Sequence, residues 1–127
     1  DSVIIPVQAQ YLPAKGMTQL MRSIDMVSNH TNEGLKIEGI VMTLVDGRTN
    51  LARDVISAIR TNYGMNIRIF DSQIPVGIKA AEASKTGQSI FAYDRDSKPA
   101  QAYEALTKEV IADAERSRKR DKAAIAR

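Results

Sequence analysis

Apolar residues form short runs at residues 2–7 and 40–45, and the second run is rich in β-branched side chains and is followed by polar, turn-forming residues. Residues 66–74 supply a third strand, in which Ile67, Ile69 and Phe70 are expected to be buried. Short apolar runs of this kind predict buried strands. The segments that follow them have apolar residues at helical spacing. The pattern therefore predicts strands that alternate with helices.

Three segments with this spacing predict the longer helices. Pro13 is placed to open the first, whose apolar face contains Met17, Leu20, Met21, Ile24 and Val27. The second begins near Leu51 after a cap at Thr49 or Asn50, and its inner face contains Val55, Ile56, Ile59 and Tyr63. The third begins near Ala100, and its inner face contains Tyr103, Leu106, Val110 and Ile111.

The region between the third strand and the last helix has a weaker pattern. Residues 79–86 are rich in alanine and predict a short helix that Gly87 ends. Residues 89–93 are expected to be extended again, before a turn at residues 94–99. This region carries no Gly-rich or Pro-rich linker.

Alternation of strands and helices indicates a parallel sheet, because parallel neighbours need long crossover connections. We therefore expect an α/β fold with helices flanking a parallel sheet. Ligands of open α/β sheets bind at the carboxyl ends of the strands. Residues 43–48, at the end of the central strand, are the expected position of a functional site.

Length and composition limit the possible classes of fold and function further. The 127 residues fit one domain, and no apolar run approaches the roughly 20 residues of a membrane helix. The chain has no cysteine, which excludes disulfides and thiolate metal sites and agrees with a reducing cytoplasm. Because it begins inside a strand-like run without a signal peptide, we expect residues to precede it in a longer protein.

The net charge of +3 is concentrated at the end of the chain. Residues 115–127 contain six basic and two acidic side chains, whereas the remainder carries a net charge of −1. This segment has three interpretations: a solvated helix end, a disordered basic arm, or a nonspecific nucleic-acid contact. We assign residues 1–112 to the folded domain and residues 113–127 to a basic, mobile tail.

Most catalytic signatures are missing. The chain has no GxxxxGK[ST] phosphate loop, no GxGxxG motif and no cluster of metal ligands. His30 is the only histidine and is interpreted as a loop residue, so no nucleophile–histidine pair is available elsewhere. Asp46, followed by Gly47, is typical of a turn. We predict no catalytic residue and no metal site.

Two basic residues stand at the expected functional edge. Arg48 follows the central strand and Lys79 follows the third, so both should project from one rim of the sheet. A phosphate backbone is a suitable partner for such a pair. Solvated surface side chains are the alternative, and the pattern alone does not decide between them.

The order of segments resembles a known family. It reads SVIIPV, a loop with Tyr11, a helix, IEGIVMTLVDGRTNLARDVISAIR, Ile74–Pro75, KAAEAS, Tyr93–Asp94 and AYEALTKEV. This order resembles the C-terminal half of ParA/Soj-type partitioning ATPases of the ParA/MinD superfamily. DGRTNL is the most specific segment, and the resemblance covers nearly all of residues 1–112.

The resemblance implies part of a deviant P-loop NTPase fold. Family members bind ATP and Mg as a sandwich dimer, coat nucleoid DNA nonspecifically, and are stimulated by a ParB-like protein. They segregate chromosomes, plasmids or mobile elements in the cytoplasm. Their KGGxGKT loop and catalytic aspartate lie in the N-terminal half, which this chain lacks. By itself the chain is therefore expected to hydrolyse no ATP and to need no cofactor.

Site residues follow from the same resemblance. Thr43 matches the position of an adenine-reading side chain, and Pro75 with Val76 would line the other side of the base. Arg48 resembles the arginine that members use for DNA, and Lys79 occupies the place of a second basic residue.

One segment departs from the family pattern. The common IPRNVRLSEAP reads IPVGIKAAEAS here, so Val76 and Gly77 replace arginine and asparagine. One positive charge is lost, which should weaken DNA binding or shift it toward the tail.

Two further expectations remain open. The alternative to the family is a nonenzymatic flavodoxin-like or receiver-like module in which Asp46 accepts a phosphoryl group, although residues 6–10 lack the acidic pair of a receiver. If the first strand has lost neighbours from an absent half, it is an open edge, and the chain should self-associate through it.

Overall fold

In the computed structural model, which describes residues 1–9 and 14–126 and only the backbone at residues 14–17 and 20, three strands form one sheet. They are β1 (Ser2–Gln8), β2 (Lys36–Val45) and β3 (Ile69–Pro75), in the order β1-β2-β3. Both pairings are parallel. The prediction of a parallel α/β sheet is confirmed.

Five α-helices connect and follow these strands in the described ranges. They are α1 (Ala14–Met26), α2 (Asn50–Tyr63), α3 (Ile78–Thr86), α4 (Ile90–Tyr93) and α5 (Lys98–Ile125). A π-helical turn, Val27–Thr31, continues α1. The predicted helix opener Pro13 and the loop residue Tyr11 lie outside the described residues, as do the side chains of Met17 and Leu20.

The larger part of the core lies between the sheet and helices α1 and α2. The strands contribute Ile5, Val7, Ala9, Ile40, Met42, Val45 and Ile69. Helix α2 buries Ala52, Val55 and Ile59 against them, and α1 adds Met21 and Ile24. The predicted inner face of α2 is confirmed, and Thr49 caps the helix by accepting a hydrogen bond from the Ala52 N–H.

The opposite face of the sheet packs on α5. Val41, Phe70 and Ile74 form a second buried cluster with Leu106 and Val110 of that helix. The prediction that Tyr103 and Ile111 also point inward is wrong, since both are exposed. Helix α5 packs mainly on β3, with Val41 of β2 at the edge of the contact, so its buried stripe is narrower than the sequence pattern indicates.

Two predicted boundaries need correction. Strand β3 begins at Ile69, not at residue 66, because the N–H groups of Asn66 and Ile67 donate to the Tyr63 carbonyl after α2. The segment expected to be extended at residues 89–93 forms α4, which Ser89 caps. The stop after α3 is confirmed, since Gly87 has a left-handed backbone with φ 74°.

Helix α5 extends further than expected. Its 28 residues begin after the cap Ser97, whose side chain accepts a hydrogen bond from the Ala100 N–H, and end at Ile125. The basic segment up to that residue therefore continues the helix as mostly exposed turns. A domain boundary at residue 112 and a mobile tail beyond it stay predictions.

An ionic contact fastens α5 to β3. Glu109 accepts hydrogen bonds from the backbone N–H groups of Asp71 at 2.9 Å and Ser72 at 2.8 Å. Arg68 donates to Glu109 at 3.1 Å and to Asp113 at 3.0 Å. The contact therefore joins two turns of the helix to the strand.

The backbone of β3 makes this contact possible. Between the pairs Ile40↔Ile69 and Met42↔Gln73, β3 advances four positions while β2 advances two. The irregular segment presents two consecutive N–H groups to one carboxylate. Asp71 and Ser72 lie between the paired positions of the ladder, so Glu109 supplies the acceptor for their N–H groups.

We predict that Gly39→Ala destabilises the protein. A Cβ at this position would lie 2.7 Å from the Phe70 ring and 2.9 Å from the Arg68 carbonyl oxygen. Such overpacking should lower the free energy of unfolding by about 1–3 kcal/mol, measured by urea titration. Gly47→Ala is the control, because its Cβ would meet nothing within 4 Å. Equal stabilities of the two variants would contradict the prediction.

We also predict that Glu109 makes stability depend on acid pH. Burial raises the pKa of Glu109, but hydrogen bonds from Ser72 and Asp71 and the charge of Arg68 lower it below its ordinary 4.5. Since the native state then binds this proton less readily, the contribution is present above pH 4.5 and is lost as the pH falls through the lowered pKa.

Replacing the carboxylate with an amide tests this prediction. Glu109→Gln should lower the free energy of unfolding at pH 7 by about 1–3 kcal/mol, because charge-assisted hydrogen bonds are lost. It should also flatten the loss of stability below pH 4.5. Glu104→Gln, at an exposed pair with Lys108 on the same helix, should change stability by less than about 1 kcal/mol. Similar urea midpoints for both variants at pH 7 and pH 4 would argue against the contact.

Candidate functional site

The carboxyl ends of the three strands form the edge at which the sequence places a site. Thr43 pairs with Gln8 of β1, and Val45 pairs with Pro75 of β3. The Val76 N–H donates to the Val45 carbonyl at 3.1 Å, which extends the ladder past the end of β3. Three predicted site residues, on β2 and at the end of β3, thus share one edge.

These three residues are not equivalent at that edge. The Thr43 hydroxyl donates to the carbonyl of Val7 at 3.4 Å, so it points toward β1. Pro75 is half-buried and Val76 is 50% exposed on the other side of β2. Their joint role around an adenine base stays a prediction.

The backbone of β2 is irregular between these positions. Leu44 has φ 50°, in the left-handed region that residues other than glycine rarely adopt. At this point β2 advances three positions, from Met42 to Val45, while β3 advances two. A bulge of this kind re-aims the side chains that follow it. Nothing in the local sequence indicates it, since leucine is not a turn residue.

The loop after β2 is built around Asp46. Its carboxylate accepts hydrogen bonds from the Arg48 N–H at 3.1 Å, from Nε at 3.0 Å and from Nη2 at 3.1 Å. Its carbonyl accepts from the Thr49 hydroxyl at 2.9 Å. These hydrogen bonds from Arg48 lower the pKa of Asp46. Asp46 is therefore a turn residue and the partner of Arg48, whose side chain is 90% exposed.

Lys79 lies in the first turn of α3 within an acidic and aromatic cluster. Its Nζ is 3.8 Å from a Glu82 oxygen, 4.0 Å from an Asp94 oxygen and 5.8 Å from the centre of the Tyr93 ring. The Tyr93 hydroxyl donates to Glu82 at 2.6 Å, and this hydrogen bond raises the pKa of Tyr93. Half of the Lys79 side chain remains exposed.

Sequence reasoning missed the acidic partners of both cations. Arg48 and Asp46 are two residues apart, and Glu82 follows Lys79 at the spacing of neighbours on a helix, so spacing could have indicated both pairs. The approach of Tyr93 and Asp94 depends on how α4 packs against α3, which no local pattern gives. The edge is therefore less positive than its two cations suggest.

A pocket of about 320 Å³ opens beside this loop, and its walls come from α2 and from the ends of β2 and β3. Its lining residues are Val45, Gly47, Ala52, Arg53, Ile56, Ser57, Arg60 and Gln73. None of the five predicted site residues lines it.

The described residues form neither a metal site nor a membrane-spanning helix. Among the residues that the structure describes, no group of three or more histidine, aspartate or glutamate side chains could hold a metal ion. His30 is exposed in the turn after α1. Within the same ranges, no helix has the length and apolar character needed to cross a membrane.

Comparison with known proteins gives close relatives, although no family model matches. The chain is 37% identical over 113 residues to the sporulation initiation inhibitor protein Soj of Bacillus subtilis. It is 36% identical over 124 residues to the chromosome partitioning protein ParA of Caulobacter vibrioides. These matches cover 89% and 98% of this chain but 44% of each relative, in the C-terminal part of their length.

A solved structure also resembles this fold. Cobyrinic acid a,c-diamide synthase from Mycobacterium smegmatis superposes with a TM-score of 0.60 at 31% identity, over 80% of this chain and 34% of that enzyme. The same enzyme has been solved with ADP and magnesium and with an ATP analogue and magnesium. The predicted fold class, part of a P-loop NTPase fold, is confirmed.

The matches also favour the partitioning family over a receiver-like module. They cover 89% and 98% of this chain at 37% and 36% identity. The chain belongs to the Soj/ParA family of chromosome partitioning proteins, of which it represents a C-terminal part.

Proposed function

We propose that this chain is part of a partitioning ATPase that binds ATP as a dimer and coats DNA without sequence preference. The observation that carries the proposal is the placement of Arg48 and Lys79 on one edge of the sheet in a chain of this family. The whole protein would act on the nucleoid with a ParB-like partner, in segregating chromosomes, plasmids or mobile elements.

The nucleotide base would bind beside β2. Pro75 and Val76 offer apolar surface for a planar ring. The Thr43 hydroxyl donates to Val7, so its oxygen keeps lone pairs that can accept a hydrogen bond from the adenine amino group. When bound, ATP would supply the phosphoanhydride that the whole protein hydrolyses. The sequence contains no phosphate loop, so groups outside this chain would hold the phosphates and the magnesium.

DNA would bind at the same edge, where its phosphates would replace the carboxylates that pair with Arg48 and Lys79. A phosphate that approaches Arg48 competes with the Asp46 carboxylate, and one that approaches Lys79 competes with Glu82 and Asp94. Exposed ion pairs of this kind contribute little to stability, so the exchange is inexpensive. Phosphate contacts position a protein on DNA and read no bases.

The Arg48→Ala/Lys79→Ala variant tests this surface. Each phosphate contact contributes roughly 0.9 to the slope of log K against log salt, so the variant should flatten the slope by about 2. Affinity should fall about equally for unrelated duplexes, measured by fluorescence anisotropy over a range of KCl concentrations.

Two matched variants complete this experiment. Asp46→Asn keeps the side-chain oxygen that accepts from the Arg48 N–H but removes the competing charge, so it should strengthen binding. A chain that ends at residue 114 lacks the six basic residues of the last segment. An unchanged slope in the double variant, with binding lost only in the shortened chain, would move the DNA site to the end of α5.

We also propose that the chain self-associates through β1. In the described residues β1 pairs with β2 alone, and Ile4 on the face away from α1 is 40% exposed. An open edge with apolar side chains is a template for strand pairing. Light scattering at high concentration should give a mass above that of the monomer, and Ile4→Lys should lower it. A monomer at all concentrations would contradict this expectation.

A further inference from the structure

A basic stripe on helix α2 takes no part in the site proposed above. Arg53 and Arg60 are seven residues apart, close to two helical turns, so both lie on one face of the helix. Ile56 and Ser57 lie between them on that face. All four residues line the pocket of about 320 Å³ beside the loop after β2.

This stripe is continuous with the carboxyl edge of the sheet. Val45 and Gly47, at the end of β2 and in the loop that carries Arg48, line the same pocket. Gln73 of β3 forms the opposite wall. A ligand that contacts Arg48 could therefore continue along α2 without leaving the surface.

The two arginines differ from the edge cations in their partners. Within the described part of the chain, neither Arg53 nor Arg60 forms an ion pair or a side-chain hydrogen bond. Arg48, by contrast, has a two-point contact with Asp46. An unpaired guanidinium keeps all five N–H donors available for a ligand. An anion can bind the α2 arginines without displacing a carboxylate.

We propose that Arg53 and Arg60 contact the phosphate backbone of a nucleic acid and extend the binding surface from Arg48 along α2. The inference rests on the proposed DNA-binding function and adds residues that the family resemblance does not indicate. The two side chains start about 10 Å apart along the helix axis. A row of separated charges fits a linear polyanion better than a compact ligand, and the planar fork of arginine matches a phosphate.

The test compares two charge-matched variants of the full 127-residue chain. Arg53→Ala/Arg60→Ala removes the stripe, whereas Lys36→Ala/Lys108→Ala removes two positive charges that line a cleft at the amino-terminal end of the sheet. Anisotropy with two unrelated duplexes gives the salt slope. The stripe variant should flatten the slope by roughly 1.8 for both duplexes, and the control should leave it unchanged. Circular dichroism checks that each variant is folded.

The other outcomes separate this inference from the proposed function. A normal slope in the stripe variant, together with a flattened one in Arg48→Ala/Lys79→Ala, would overturn the inference and leave DNA binding at the edge. Failure of the unmodified chain to bind either duplex at low salt would overturn both. Loss of binding to labelled poly-glutamate with unchanged DNA binding would assign the stripe to an acidic protein partner instead.

Discussion

The hydrogen-bonded ladder between β2 and β3 determines where the functional side chains lie. Pairing of Val45 with Pro75 brings the loop after β2 and the start of α3 to one edge. The left-handed backbone at Leu44 takes up the extra residue of β2 before that pair. In a regular strand Val45 would share a face with Val41, which packs toward α5. Because of the bulge it instead joins the core beside α2, and the loop starts from that side.

Pairing of basic side chains with carboxylates recurs in this chain. The edge cations have carboxylate partners, and Arg68 is held by Glu109 and Asp113 where α5 meets β3. The two groups of contacts differ in consequence. The contacts of Arg68 with Glu109 and Asp113 are half-buried, and Glu109 also accepts hydrogen bonds from two backbone amides of β3, so this group stabilises the packing of a helix. The Arg48 contact is exposed and exchangeable, which suits a surface that binds and releases an anion.

Periodicity predicted the strands, the parallel sheet and the inner face of α2, because each depends on burial of residues close together in sequence. The helix cap at Thr49 was one of two candidates, because a cap also depends on residues close together in sequence. The bulge at Leu44 and the capture of β3 amides by Glu109 were not predictable, since both depend on register between segments far apart in the chain. For the candidate site, the sequence likewise predicted the positions of Arg48 and Lys79. The pairing of Lys79 with Asp94 could not be predicted, because it depends on how distant segments pack.

Helix α2 connects the core to the charged surface. Val55 and Ile59 are four residues apart and fully inward, so their burial fixes the rotation of the helix about its axis. That rotation in turn directs Arg53 and Arg60 outward along one line beside the sheet edge. A shift in the backbone position of these arginines would require α2 to rotate and expose its apolar face. Exposure of that face would cost about 25 cal/mol of free energy for each Å² of apolar surface. The core therefore fixes the backbone positions from which Arg53 and Arg60 project, whereas their exposed side chains and the exposed contact between Arg48 and Asp46 are free to rearrange in solvent.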